Sequence, residues 1–117
     1  MQLSEVGFGE ARPIDGYGDG FFRVGGEVFK HAILTSVKGT QPWGGYQDSA
    51  PLLALADEID VLFVGTGAEI AHIPAELRQT LEARGVGVEV MNSPAACRTY
   101  NVLLSEGRRI AVAALTV

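Results

Sequence analysis

The sequence has little of what usually marks a secreted, membrane-inserted or disulfide-bonded protein. Its single cysteine, Cys97, cannot form an internal disulfide. Its longest apolar runs, such as residues 110–117, are far shorter than the roughly 20 residues of a membrane-spanning helix, which excludes insertion on length and leaves peripheral docking open. Residues 1–5 contain neither the basic region nor the apolar stretch of a signal peptide. We therefore expect a cytoplasmic protein.

Positive charge is scarce as well. Nine lysines and arginines stand against fourteen aspartates and glutamates, which gives a net charge of −5. Because sequence-independent binding of nucleic acid depends on counterion release by lysine and arginine, this balance disfavours a nucleic-acid partner. We interpret the local exception, Arg98, Arg108 and Arg109, as a solvated face or as a complement to a helix dipole.

Residues that could bind a metal or a cofactor are equally few. His31 and His72 stand apart from each other and from Cys97, so no pair of metal ligands has helical or knuckle spacing. The acidic residues between 57 and 60 are typical of a solvated helix end. A dinucleotide fingerprint would need glycine where Ile70 stands, and no P-loop lysine follows. We expect no metal and no cofactor, and we assign no catalytic residue.

The chain has enough apolar residues for one core. It has 117 residues, of which 47% are hydrophobic, and it contains no repeat, low-complexity run or long linker. We therefore expect a single domain over residues 1–117.

The N-terminal half alternates aromatic and β-branched residues with glycines. Gly25–Gly26 separates two such runs and is typical of a two-residue hairpin turn, whose central residues need positive φ. We expect strands near residues 20–24 and 27–38 and a short edge strand at Leu3–Phe8.

The C-terminal half alternates strands with helices. The expected helices begin near Ser49, at Pro74 and at Ser93–Pro94, with Ser93 as an N-cap, and the expected strands are residues 61–64, 86–91 and 109–117. Because parallel neighbours need a helix between them, this order predicts an α/β domain that the N-terminal hairpin extends or caps.

One candidate site lies at Gly65–Thr66–Gly67, directly after a buried strand. Backbone N–H groups there could bind an anion, although a tight turn is the favoured interpretation. Cys97 follows in the first turns of a helix, where the dipole could favour a thiolate, and the alternative is a small packing residue. Asn101 either hydrogen-bonds a nearby strand end or loop, or faces a pocket with Cys97 and the Gly65 turn. Arg98 would then meet an anionic group.

A second candidate site is the loop around Trp43 and Tyr46. Tryptophan and tyrosine are frequent anchors of protein interfaces, so an exposed Trp43 would make this loop a partner contact, together with the side that carries Arg109. The alternative is that Trp43 folds back as a lid on the apolar face of the hairpin.

Several segments of the C-terminal half resemble a known family. They are Val64 to Gly67, Arg84–Gly85, Val88 to Val90, Cys97 to Leu103 and Glu106 to Arg108. The chain resembles the domain-of-unknown-function family that includes the mitochondrial NADH dehydrogenase (complex I) assembly factor three and the adipogenesis-associated domain protein. The resemblance implies a three-layer α/β domain with a mixed central sheet and a hairpin addition. It brings no established catalytic set.

Two functional hypotheses follow. The first, which the resemblance implies, is a non-enzymatic cytoplasmic protein that acts through protein contacts like an assembly factor for respiratory NADH dehydrogenase, whose subunits would be its partners. The second is a protein that binds a small anionic ligand, or a weak enzyme, using Gly65, Thr66, Gly67, Cys97, Arg98 and Asn101. Open strand edges of the hairpin leave self-association to a homo-oligomer as a further option.

Overall fold

The computed structural model describes residues 12–117, so the strand expected at Leu3–Phe8 lies outside the described residues. Within them, eight strands and three helices follow in the order β1 (Ile14–Gly18), β2 (Phe21–Val24), β3 (Glu27–Phe29), β4 (Ile33–Ser36), β5 (Gly39–Pro42), α1 (Ala50–Ala54), β6 (Val61–Gly65), α2 (Ala75–Ala83), β7 (Gly87–Met91), α3 (Ser93–Ser105) and β8 (Ile110–Ala114).

Five of these strands form the main sheet, in the order β5-β4-β8-β6-β7. β4 is antiparallel to both of its neighbours, whereas β6 is parallel to β8 and to β7. The sheet is therefore mixed, and β5 and β7 are its two edges.

Both faces of the main sheet are covered. Leu62 and Val64 of β6 pack with α1 and α2 on one face, and Phe63 between them packs with α3 on the other. The second face also packs against β1 and β2, which belong to a separate antiparallel sheet with the order β1-β2-β3. This arrangement confirms the expected α/β fold in three layers with a mixed central sheet and a β addition.

The expected single strand over residues 27–38 is wrong. β3 ends at Phe29 and β4 begins at Ile33, because the chain leaves one layer and enters another between them. β3 is the largely exposed edge of the small sheet, whereas every residue of β4 is buried beside β8. The hairpin turn at Gly25–Gly26 is confirmed, with φ of 58° and 83°.

Two helix ends show how local chemistry sets the boundaries. Gly85 has φ of 87°, which confirms the left-handed stop after α2. The N-cap of α3 is Asn92, whose side chain accepts the Ala95 N–H at 2.8 Å, and not Ser93 as expected. Ser93 is fully buried, and its hydroxyl accepts a hydrogen bond from the turn after β6. The closing strand is shorter than expected and ends at Ala114.

Candidate functional site

The turn after β6 connects the sheet to the amino end of α3. A Cβ on Gly65 would stand 2.8 Å from the Cα of Ser93, so the two backbones touch. The Ser93 hydroxyl accepts the Gly67 N–H at 2.9 Å and donates to the Leu115 carbonyl at 2.6 Å. Ser93 therefore bonds the turn to the end of β8.

Thr66 is also held by bonds within the protein. Its N–H donates to the Met91 carbonyl at 2.9 Å. Its hydroxyl donates to the Glu69 carbonyl at 2.7 Å and accepts the Ala71 N–H at 3.1 Å. The N–H groups of Thr66 and Gly67 are thus both occupied, and these contacts favour a structural turn over an anion site.

Cys97 lies in the core between α3 and the main sheet. It is 3% exposed and belongs to the cluster that contains Phe63 and Tyr100. Burial raises the pKa of its thiol from 9.0 to about 12, and the positive charge of Arg98 opposes this only in part. The structure therefore supports the packing interpretation of Cys97.

We expect the Cys97 thiol to be slow to react at neutral pH. Because the thiolate is the nucleophile, labelling of the native protein by a disulfide reagent should be roughly 100-fold slower than labelling of the urea-unfolded chain. Because the folded pKa is raised, the contribution of this group to stability is complete below about pH 9 and disappears as the pH rises toward about 12. Equal labelling rates of the native and unfolded chains would contradict the burial.

Asn101 attaches the small sheet to α3. Its Oδ1 accepts the Ile14 N–H at 2.8 Å, and its Nδ2 donates to the Ile14 carbonyl at 2.8 Å. An asparagine inside a helix has a modest propensity cost, which these two hydrogen bonds offset. Of the two interpretations given above, the contact with a strand end is the one observed.

We expect Asn101→Ala to lower the free energy of unfolding by about 1–3 kcal/mol, because the N–H and carbonyl of Ile14 lose their partners. Asn101→Asp should also destabilise, because a carboxylate oxygen would then oppose the Ile14 carbonyl. Thermal unfolding followed by circular dichroism measures both effects, with the exposed Ser105→Ala on the same helix as the control. Asn101→Ala as stable as the wild type would show that the contact contributes nothing.

The structure does not gather the expected ligand residues on one surface. Residues 65–67 are bonded to α3 and β8, Cys97 is in the core, and Asn101 binds β1. Arg98 alone among the six is exposed. The groups that a shared pocket would need therefore already have partners.

Trp43 folds back, but into the core beside the main sheet and not onto the hairpin formed by β2 and β3. It is 3% exposed and packs in the cluster that contains Leu34 and Leu52, and its Nε1–H donates to the Asp48 carbonyl at 3.1 Å. Tyr46 is half-buried and meets Trp43 edge to face, with ring centroids 5.9 Å apart. Trp43 cannot be an exposed partner contact, because its ring fills the space between β4 and α1.

Arg109 is exposed but engaged in contacts of its own. Its Nη2 donates to the Asp57 carbonyl at 2.9 Å and its Nε donates to the Glu58 carbonyl at 3.2 Å. Both carbonyls lie in the turns that follow α1. Arg109 therefore closes that segment of the chain against the start of β8.

The sequence did not reveal a groove beside the edge strand β7, in which four of the six lining residues are apolar. The groove has a volume of about 340 Å³ and is lined by Ile70, Ala71, His72, Ile73, Arg78 and Val90. Ile70 is 66% exposed, the highest value for a large hydrophobic residue in the described part of the chain. The available signal was an isoleucine in the short loop between Gly67 and Pro74, but which strand lies at the edge cannot be read from sequence.

Within residues 12–117, no three histidine, cysteine, aspartate or glutamate side chains are grouped so that they could hold a metal ion. No helix in that range combines the length and apolar character needed to cross a bilayer.

Comparison with known proteins places the chain among several relatives. An uncharacterised protein of Rhodobacter capsulatus is 51% identical over 115 residues, which are 98% of this chain and 93% of that protein. NADH dehydrogenase (ubiquinone) 1 alpha subcomplex assembly factor 3 of Mus musculus is 33% identical over 116 residues, with 92% of this chain covered. This chain spans 62% of the length of the mouse factor.

Solved structures of other proteins are also similar to this chain. An outer membrane protein of Bartonella henselae is similar with a TM-score of 0.85 and 32% identity, covering 94% of this chain and 99% of that one. A Bordetella pertussis protein described as a Mth938-like domain has a TM-score of 0.76 and 30% identity, over 98% and 89% of the two chains. The family model described as a protein of unknown function (DUF498/DUF598) matches residues 14–115. The chain therefore belongs to the DUF498/DUF598 family.

Proposed function

We propose that this chain acts through protein contacts, in the cytoplasm and without catalysis, in the assembly of respiratory NADH dehydrogenase. The observation that carries the proposal is the groove beside β7, where Ile70 presents most of its surface to solvent. An exposed apolar surface next to an open strand edge is typical of an interaction site.

The similarity to the mouse assembly factor supports the choice of partner. It extends over 92% of this chain, so the shared domain is almost the whole of the sequence given. One fold can host unrelated functions, so the identity of the partner is tested by direct capture.

The alternative, binding of a small anion by residues 65–67 with Cys97, Arg98 and Asn101, has less support. The turn donates its N–H groups to Met91 and Ser93, and the thiol of Cys97 is buried. A bound anion would have to displace hydrogen bonds that already exist.

The proposal is tested by affinity capture in both directions. The tagged chain is recovered from cells at low salt, and captured proteins are quantified by mass spectrometry against an untagged control. A tag on a subunit of NADH dehydrogenase provides the reverse capture. We expect enrichment of NADH dehydrogenase subunits in the first experiment and of this chain in the second. Recovery of neither would contradict the assembly role.

A further inference from the structure

The orientation of the β7 backbone follows from its bonds to the rest of the sheet. In a parallel pair, alternate residues direct their N–H and carbonyl groups to the same neighbour. The Gly87 N–H donates to the Asp60 carbonyl, and the Met91 carbonyl accepts the Thr66 N–H. Every second residue of β7, counted from Gly87, therefore faces β6.

The remaining residues of β7, Val88 and Val90, direct their backbone groups away from the sheet. The Val88 carbonyl accepts a hydrogen bond from Nη1 of Arg78 at 3.1 Å. Within residues 12–117, no hydrogen bond reaches the Val88 N–H, the Val90 N–H or the Val90 carbonyl. Two donors and one acceptor thus stand in a row, with the spacing of an extended chain.

The side chains around the β7 edge indicate which residue types an added strand would need. On one side is the apolar groove with Ile70, Ile73 and Val90, and on the other is the exposed carboxylate of Glu89. Successive side chains of an added strand point to opposite faces. One set would enter the groove, where apolar residues fit, and a lysine or arginine of the other set would pair with Glu89.

Symmetric pairing of two copies of this chain through β7 is disfavoured in each register. Symmetric antiparallel pairing about Glu89 would oppose two carboxylates directly, and pairing about Val88 would meet the Arg78 guanidinium. Symmetric pairing about Val90 would form only one pair of residues that exchange both backbone hydrogen bonds, the pair of the two Val90 residues. The next pair would need the Asn92 carbonyl, which already accepts the Ala96 N–H. A peptide from another protein has no such symmetry, so it need not oppose a carboxylate to Glu89. It can pair with the Val88 N–H and with both backbone groups of Val90 while the Val88 carbonyl keeps its bond to Arg78.

We propose that the partner of this chain contributes an extended peptide segment that pairs with β7 as an added strand. The segment carries apolar residues at alternate positions, which fill the groove at Ile70, and a basic residue opposite Glu89. This inference rests on the proposed function in that it supplies the surface for the protein contact, but the edge can be tested without knowledge of the partner.

The first test measures amide hydrogen exchange by NMR on the full chain and on a variant that lacks residues 1–11. We expect the amides of Val88 and Val90 to exchange at least roughly 10-fold faster than those of Gly87 and Glu89, in both proteins. Slow exchange of Val88 and Val90 that the deletion abolishes would mean that the chain covers its own edge. Slow exchange in both proteins that disappears on dilution would mean that a second copy covers it. Either result would overturn the proposal.

The second test uses random 12-residue peptides displayed on phage and selected on the full chain. We expect the selected peptides to slow exchange at Val88 and Val90 and to bind Ile70→Lys at least roughly 10-fold more weakly, because lysine is poorly accommodated in an apolar groove. Val102→Lys is the matched control, since Val102 is 57% exposed on α3, away from the groove. Failure to select any peptide, or equal binding to both variants, would overturn the proposal.

The two proposals fail in different ways. If selected peptides protect the β7 edge but no NADH dehydrogenase subunit is captured, the assembly role is contradicted. The proposal that a peptide pairs with β7 is then still supported. Captured subunits together with peptides that ignore Ile70→Lys would support the assembly role and overturn the edge site.

Discussion

Trp43→Ala should lower the free energy of unfolding by about 3–5 kcal/mol, the range observed when a large aromatic residue is removed from a core. The ring is buried in the cluster that contains Leu34 and Leu52, and alanine would leave a cavity between β4 and α1. The variant also loses the hydrogen bond from Nε1 to the Asp48 carbonyl.

Urea denaturation followed by far-ultraviolet circular dichroism measures this effect. Fluorescence is unsuitable for the comparison, because Trp43 is the one tryptophan of the chain. Trp43→Phe keeps most of the apolar volume and loses the N–H, so it should cost less than Trp43→Ala, about 1–2 kcal/mol. A loss below about 1 kcal/mol for Trp43→Ala would mean that the loop packs more weakly than described.

Gly65→Ala should lower the free energy of unfolding by about 3 kcal/mol, at the upper end of the cost of overpacking. The new Cβ would stand 2.7 Å from Oγ and 2.8 Å from Cα of Ser93. Because one of these atoms belongs to the backbone, a rotation of the serine side chain cannot relieve the overlap. The amino end of α3 must move, and the bonds from Ser93 to Gly67 and Leu115 weaken with it.

Gly87→Ala is the matched control for this substitution. Its Cβ would meet the Asp60 carbonyl oxygen at 3.5 Å, which is ordinary van der Waals contact. Its stability should stay within about 0.5 kcal/mol of the wild type, or rise slightly because alanine restricts the unfolded chain. Chemical denaturation of both variants gives the comparison, and equal stabilities would show that the close approach at Gly65 is not tight.

Local chemistry explains which elements could be predicted from sequence. β6 is a continuous apolar run ended by glycine, and such a run identifies a strand covered on both faces wherever it lies. The strand expected at residues 27–38 could not be divided correctly, because β3 and β4 are both short runs that contain β-branched residues, and they differ in the sheet that they join. Asn92 and Ser93 are both good N-cap residues. The choice between them depends on the contact of Ser93 with Gly67 and Leu115, which is tertiary.

At the candidate site, too, the features that depend on tertiary contacts could not be predicted from the sequence. Cys97 and Asn101 each left two interpretations open. The choice between a functional and a structural role depends on whether the side chain is buried and on which residue it contacts, and no local sequence pattern specifies either. Tryptophan is common both at protein interfaces and in protein cores, so Trp43 also left two interpretations open. The groove beside β7 could not be predicted, because strand order, which makes β7 an edge, is set by the packing of the whole domain.

The most direct test of the account is the amount of NADH dehydrogenase captured by three forms of the full chain: wild type, Ile70→Lys and Val102→Lys. Both variants place a lysine at a position that is exposed in the native state, so both should fold with similar stability. We predict that wild type and Val102→Lys recover the subunits equally and that Ile70→Lys recovers at least roughly 10-fold less, since lysine disfavours burial in the groove. Equal recovery by all three forms would contradict a contact of NADH dehydrogenase at the β7 edge, and recovery by none would contradict the assembly role.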